Sequence, residues 1–149
     1  MTVRLARPTT TIWQLDVAVL RTVVERLPSG EAAVLVDALP PLLAMAGRPD
    51  PDGADTPELF DADELVRRVR RRTGEYDADE RTVRAGIRAA LGRIAGFCPA
   101  AVRYRVQLPL PDDIRELFPE SVRVHAAGTA APATAAGAPA TAAPASGVG

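Results

Sequence analysis

The sequence predicts an all-α protein: a small helical bundle built from two related helix-turn-helix repeats, with a disordered C-terminal tail. Two observations predict the helices. Apolar residues recur at spacings of three and four, the period of an amphipathic helix, and prolines interrupt the chain where those patterns stop. A third observation predicts the tail, because the last part of the chain carries no charge and repeats Ala, Pro and Thr, a composition that cannot bury enough apolar surface to fold.

The chain is long enough for one domain with its own core. We predict a flexible N-terminus (1–10), a helical domain (11–125) and a disordered Ala/Pro/Thr-rich tail (126–149). The domain is expected to contain repeat one (11–47), an acidic linker (48–60) and repeat two (61–119). Three prolines and four acidic residues leave the linker without apolar periodicity, which favours a solvated connector.

Repeat one is predicted to begin with a helix that is buried on most of its circumference. Its apolar stripe consists of Trp13, Val17, Leu20, Val24 and Leu27. Pro28 ends this helix. Ser29 is the predicted N-cap of a second helix, with Glu31 in the first turn, where the helix dipole favours an anion. Pro40 ends that helix, and one or two further turns follow.

Repeat two contains the letters DADE twice, beginning at Asp61 and at Asp77. An Asp followed three residues later by Glu resembles a capping box, so a helix start is predicted at both positions. Thr73 and Gly74 end the first helix. The second carries a clear apolar stripe, formed by Val83, Ile87, Leu91 and Ile94. Two shorter helices are predicted over PAAVRYRVQL and PDDIRELF.

The two repeats can be superimposed, which predicts an internal duplication. The apolar set Leu20, Val24, Leu27 matches Ile87, Leu91, Ile94, and the Leu-Pro pair at 39–40 matches that at 108–109. The helix at 61–73 has no counterpart in repeat one. If repeat one lacks that helix, the apolar face around Ile12 and Trp13 is uncovered, which would favour a homodimer.

A run of five arginines within six residues is the most prominent feature of repeat two. At 100° per residue, Leu65, Val66 and Val69 fall within one apolar third of their helix. Arg67 and Arg71 then lie on the opposite side, as expected of the solvated face of a helix. Planar guanidinium groups suit acidic partners. The candidate interaction surface consists of Arg67, Arg68, Arg71, Arg84 and Arg88.

The predicted function is a non-catalytic protein-interaction module with an unidentified, acidic protein partner. The alternative is a weak non-specific nucleic-acid binder that uses the arginine face of residues 67–72. A nucleic-acid footprint usually has a strong positive excess, whereas residues 61–95 hold nine arginines and seven acidic residues. The nucleic-acid hypothesis is therefore the less favoured of the two.

Motifs that would indicate an enzyme or a cofactor are missing, so neither catalysis nor a cofactor is expected. His125 is the only histidine and lies beside the predicted tail, where it offers no rigid base for catalysis. Cys98 is the only cysteine and is expected to be a small buried hydrophobe. One His and one Cys make no metal site. The lone thiol and the lack of a long apolar run favour a cytoplasmic protein outside the membrane.

Several of these features together resemble the bacterial domain-of-unknown-function family 2267. They are the Gly30-Glu31 pair that opens the second helix, the Leu-Pro stops, the QLP at 107–109, the IRELF at 114–118 and the ELVRRV segment. The resemblance covers roughly residues 13–119. The first half departs from the pattern, since it has no leading short helix and has Ala38 where the second half has Gln107. The resemblance implies an all-helical fold and assigns no activity or site residues.

Overall fold

The computed structural model describes residues 11–49 and 57–125, and every regular element within them is helical. The elements in chain order are α1 (Ile12–Arg26), α2 (Ser29–Asp37), α3 (Pro41–Gly47), α4 (Ala62–Thr73), α5 (Glu80–Gly96), α6 (Ala100–Gln107), α7 (Asp112–Arg115) and a 3-10 turn (Glu120–Val122). The predicted all-α class is therefore confirmed. The predicted flexible N-terminus (1–10), the predicted tail (126–149) and the centre of the linker (50–56) lie outside the described residues.

Helix α1 lies at the centre of the bundle, where it packs most extensively against α5 and α4 and also against α3. Helix α2 packs on α6. Every one of these seven helices contributes apolar side chains to one continuous core, and Leu20, Leu65 and Ile87 in it are fully buried. Complete burial of such a side chain contributes roughly 1.5–3 kcal/mol. The spacing of the apolar residues thus decides which face of each helix turns inward.

Local capping chemistry fixes both ends of α4 where the sequence predicts them. Asp61 is the N-cap, and its carboxylate accepts a hydrogen bond from the backbone N–H of Glu64 at 2.9 Å. Gly74 ends the helix with φ at 74°, a left-handed conformation that glycine adopts without steric cost. The predicted N-cap at Ser29 is wrong, because α2 already begins at Ser29 and Pro28 occupies the cap position with no side-chain hydrogen bond.

The predicted helix start at Asp77 is also wrong, since α5 begins three residues later, at Glu80. The Arg70 guanidinium donates hydrogen bonds to the carbonyls of Tyr76 and Ala78, and these bonds hold the intervening chain in a loop. The Glu80 carboxylate, which a capping box would direct back toward Asp77, instead accepts from Arg84 at 2.7 Å. A contact from α4 therefore overrides the local signal.

The C-terminal part of the domain is fastened by a buried glutamine. Gln107 is 1% exposed; its amide nitrogen donates to the carbonyl of Val122 at 2.8 Å and its amide oxygen accepts from the N–H of Val124 at 2.7 Å. Gln107 thus secures the chain that follows Pro119.

Helix α7 is shorter than predicted, because it ends at Arg115 and the buried Phe118 lies in the turn that follows.

The two halves of the domain share an order of elements. A long helix, a shorter helix and a last short helix follow one another as α1, α2, α3 and again as α5, α6, α7. Helix α4 precedes the second set only, as expected for residues 61–73. The equal order agrees with an internal duplication, which stays a prediction.

Candidate interaction surface

The arginine run lies on the outer side of α4, opposite the core. We use the name arginine face for Arg67, Arg68, Arg70, Arg71 and Arg72. Leu65, Val66 and Val69 are buried, as the helical spacing predicts. The side chains of Arg67 and Arg71 remain 65% and 58% exposed. The other arginines of this face fold back onto the protein and make contacts that the sequence pattern alone did not reveal.

Arg68 is the centre of a charged cluster. Its guanidinium contacts the carboxylates of Glu25 at 3.1 Å, Glu58 at 3.0 Å and Glu64 at 2.9 Å. The same group lies 4.3 Å from the centre of the Phe60 ring, which is a cation–π distance. Burial alone would lower the pKa of Arg68, but the hydrogen bonds that its guanidinium donates to Glu64, Glu58 and Glu25 outweigh this effect and raise that pKa. Arg68 is therefore a fixed cation that ties α1, the end of the linker and α4 together.

Arg72 extends this cluster toward α1. It pairs with the carboxylate of Glu25 and also donates to the hydroxyl of Thr22 at 2.7 Å. Thr22 is fully buried and in turn donates to the carbonyl of Ala18, so its hydroxyl is satisfied in both roles. Burial would raise the pKa of Glu25, yet hydrogen bonds and charges from Arg72 and Arg68 outweigh this effect and lower it.

Arg67 and Arg71 form the accessible edge of the arginine face. Arg67 pairs with Glu64 at 2.9 Å, and Arg71 lies 3.9 Å from the same carboxylate. Hydrogen bonds from Arg68 and then Arg67 lower the pKa of Glu64. Because one carboxylate serves all three cations, and Arg68 is also held elsewhere, Arg67 and Arg71 keep most of their donor groups directed to solvent.

Arg84 and Arg88 lie on α5, in a separate groove between α4, α5 and α7. Arg84 pairs with Asp63 at 2.6 Å and with Glu80 at 2.7 Å. Arg88 donates to the backbone carbonyls of Phe118 at 3.0 Å and of Glu116 at 2.9 Å, which fixes the turn after α7. The structure therefore gathers Arg67, Arg68 and Arg71 on one surface and leaves these two residues on another, where each has a structural contact.

At the start of α1 lies the apolar surface around Ile12 and Trp13, which the sequence predicts to be uncovered if repeat one lacks the leading helix. The stripe predicts a buried Trp13, but its side chain is 48% exposed and that of its neighbour Ile12 is 66% exposed. Helices α3 and α4 both end beside the first turns of α1 and leave them partly uncovered. We call the resulting depression the Trp13 groove; its main lining residues are Trp13, Val17, Ala18, Arg21, Ala46 and Arg72.

The other side chains that could react or bind a metal ion lie apart from one another. Cys98 is buried, as predicted, and burial raises the pKa of its thiol. It borders an apolar cavity of about 20 Å³, which is room for about one water molecule. His125 is exposed, as predicted. Within residues 11–49 and 57–125, no three Asp, Glu, His or Cys side chains are placed to share a metal ion.

The described residues define a small helical domain that exposes guanidinium groups on the outer side of α4. The sequence profile of the family described as "Uncharacterized conserved protein (DUF2267)" matches residues 11–117. The match covers most of the chain and all seven α-helices, so the protein belongs to this family. The resemblance inferred from the sequence is thereby confirmed.

Two other comparisons gave no relative. No curated protein and no solved structure matches the chain. None of the helices in the described part of the chain combines the length and the apolar character that a membrane crossing requires. Family membership is accordingly what these comparisons establish.

Proposed function

We propose that the protein is a non-catalytic protein-interaction module that binds an acidic partner through the accessible edge of the arginine face. The observation that carries this proposal is the exposure of Arg67 and Arg71, which lie one helical turn apart and share the carboxylate of Glu64. Two guanidinium groups offer ten N–H donors in all, far more than one carboxylate can accept. The unused donors suit carboxylates of a partner.

The proposal narrows the predicted surface. Arg68, Arg84 and Arg88 contact carboxylates or backbone carbonyls of their own chain, so replacing any of them would disturb the fold together with any interface. Arg67 and Arg71 can be changed with little structural consequence, because exposed ion pairs contribute only about 0–1 kcal/mol. These two residues are the appropriate probes of binding.

The nucleic-acid alternative receives less support. Phosphate-backbone binding uses several cations at once and weakens steeply with salt. On the arginine face, the carboxylates of Glu25, Glu58 and Glu64 occupy most of the guanidinium groups, so fewer cations remain than a phosphate backbone requires. The proposal also places the protein in the cytosol, where its one thiol would stay reduced.

An affinity capture from native lysate tests this proposal. The tagged full chain is compared with the double variant Arg67→Gln/Arg71→Gln, with and without nuclease, and bound material is identified by mass spectrometry and nucleic-acid recovery. The matched control is Arg81→Gln/Arg105→Gln, which removes the same charge from two exposed positions elsewhere. We expect proteins that survive nuclease, are lost with the first variant and are retained by the control. Recovery of nuclease-sensitive nucleic acid alone would contradict the proposal.

A further inference from the structure

Two open grooves on the described surface are electrically balanced by their own side chains. One, along the arginine face, is lined by Glu25, Glu58, Glu64, Arg68, Arg71 and Arg72. The other, between α4, α5 and α7, carries the charged residues Asp63, Asp113, Glu116, Arg81, Arg84 and Arg88. Each groove has as many carboxylates as guanidinium groups, so the charges that line it cancel.

The Trp13 groove differs from both. Among the described residues, Arg21 and Arg72 line it and no carboxylate does. Val17 and Ala18 of α1 and Ala46 of α3 supply apolar surface, polar side chains line the rest, and the volume is about 400 Å³. That volume lies within the range of pockets that hold small organic groups. The groove therefore combines apolar surface with an excess of positive charge.

Arg21 is the available cation in this groove. It is exposed, and within the described part of the chain its guanidinium donates one hydrogen bond, of 3.3 Å, to the carbonyl of Ala46. No carboxylate of the described residues lies within ion-pair distance of it, whereas Arg72 is neutralised by Glu25. A guanidinium group has five N–H donors, so Arg21 retains enough of them for a bidentate bond to a carboxylate.

Trp13 supplies the apolar counterpart. Its indole is half exposed beside the groove, and Trp is among the residues that dominate the energy of protein interfaces. Gln14 adds a polar group at the rim. Its amide oxygen accepts from the N–H of Thr11 at 3.0 Å, which leaves the amide nitrogen able to donate to a ligand.

We propose that the Trp13 groove is the docking site for an acidic peptide segment of the partner protein, with one carboxylate on Arg21 and an adjacent apolar side chain against Trp13. This inference rests on the proposed interaction function, to which it adds a second contact site, next to the accessible edge of the arginine face, and the kind of segment that binds there. The charge complementarity between Arg21 and a carboxylate carries it. A single available cation beside apolar surface fits such a segment better than a nucleic acid, which requires several phosphate contacts.

The test uses the full chain and a displayed library of random twelve-residue peptides, which are selected on the wild type and then compared for binding to Arg21→Gln and to Arg67→Gln/Arg71→Gln. We expect enriched peptides to carry Asp or Glu next to a large apolar residue. Synthetic copies are then titrated while the emission of Trp13, the only tryptophan of the chain, is recorded. Binding should change that emission. The Arg21→Gln variant should bind the peptides at least about tenfold more weakly, as expected for a lost charge-assisted bond. Arg81→Gln is the matched control and should leave binding unchanged.

Three outcomes would overturn the inference, and they separate it from the proposed function. If acidic peptides bind and depend on Arg67 and Arg71 but not on Arg21, the groove assignment fails and the interaction module stands. If no acidic peptide is enriched, both proposals fail. If sedimentation shows a dimer at micromolar concentration that dissociates in Trp13→Ala, a second copy occupies the groove and the peptide assignment is wrong.

Discussion

The arginine face and the Trp13 groove are neighbouring surfaces that share Arg72, yet they use their cations differently. On the arginine face, Arg68 alone contacts three carboxylates and an aromatic ring. In the Trp13 groove, Arg21 contacts only a backbone carbonyl among the described residues. The arginine face thus has more arginines, but carboxylates of the same chain already occupy its central guanidinium groups. The positions of the neighbouring carboxylates decide which arginine is available.

The same contrast separates structural from replaceable charge. The cluster around Arg68 joins α1, the chain before α4 and α4 itself, since Glu58 also donates its backbone N–H to the carbonyl of Glu25 at 2.9 Å. Partly buried, multiply bonded charges of this kind contribute more than isolated surface pairs.

Glu25→Ala should have the largest effect, because it removes the carboxylate that Arg68 and Arg72 share. We expect the free energy of unfolding to fall by about 3 kcal/mol, since three charge-assisted hydrogen bonds are lost and two cations keep fewer partners. Denaturant titration followed by circular dichroism measures it. The control is Glu31→Ala, which removes only a pair of 3.4 Å with the exposed Arg105 and should cost less than about 1 kcal/mol. Equal losses would remove the distinction between the two kinds of charge.

Gly47→Ala should lower the free energy of unfolding by about 2 kcal/mol, as typical of an overpacked core. A methyl group at Gly47 would lie 2.2 Å from Cδ2 of the fully buried Leu20, so either the Leu20 side chain or α3, which carries the Ala46 wall of the Trp13 groove, must shift. The emission of Trp13 should shift as well. Gly30→Ala is the control, because nothing lies within 4 Å of the added methyl group, and it should be neutral or slightly stabilising. A fully stable Gly47→Ala variant would contradict the packing described.

Acid should destabilise the protein through the carboxylates of the arginine face. The pKa values of Glu25 and Glu64 are lowered from 4.5 in the folded state, so the unfolded state binds protons more readily. Stability from these groups is fully present above pH 4.5 and is lost as the pH falls through the lowered folded values. Denaturant titrations between pH 6 and 3 should show this loss, and Glu25→Gln should show a smaller one. If the free energy of unfolding of Glu25→Gln fell with decreasing pH as steeply as that of the wild type, the charge network would be contradicted.

Arg67→Gln/Arg71→Gln should have the smallest effect on folding. Both side chains are mostly exposed, and Glu64 keeps its bond to Arg68 at 2.9 Å, so the free energy of unfolding should change by no more than about 0.5 kcal/mol. Thermal and denaturant unfolding measure this change. A loss above about 1 kcal/mol would mean that these residues belong to the structural cluster, and that loss of binding in this variant could not be attributed to the surface.

The sequence predicted those parts of the fold that depend on local chemistry. The cap at Asp61, the left-handed Gly74 and the buried stripe of α4 all follow from residue type and helical spacing. The start of α5 could not be predicted in this way. It depends on Arg70, whose bonds to the loop before Glu80 come from another helix and override the capping signal at Asp77.

The candidate site could also be predicted only in part, because contacts between residues far apart in the chain do not follow from helical spacing. The exposure of Arg67 and Arg71 follows from their position opposite the core. Glu25, in contrast, lies 43 residues before Arg68 in the chain, so no spacing rule links the two. The missing leading helix of repeat one predicted an uncovered apolar face around Ile12 and Trp13, but the groove itself forms where α3 and α4 end against α1, which helical spacing does not predict. The sequence signal that could have indicated it was Arg21 on the narrow polar side of the same helix.

The contrast between the arginine face and the Trp13 groove is tested most directly by comparing the free energies of unfolding of Arg68→Gln and Arg21→Gln under identical conditions. Both variants remove one guanidinium group and one unit of charge. We predict a loss of about 2–3 kcal/mol for Arg68→Gln, because Glu25 and Glu64 lose a partner, and a change within about 0.5 kcal/mol for Arg21→Gln. Equal stability of the two variants, or a larger loss for Arg21→Gln, would show that the arginine face is not the structural cluster described and that Arg21 is not the available cation.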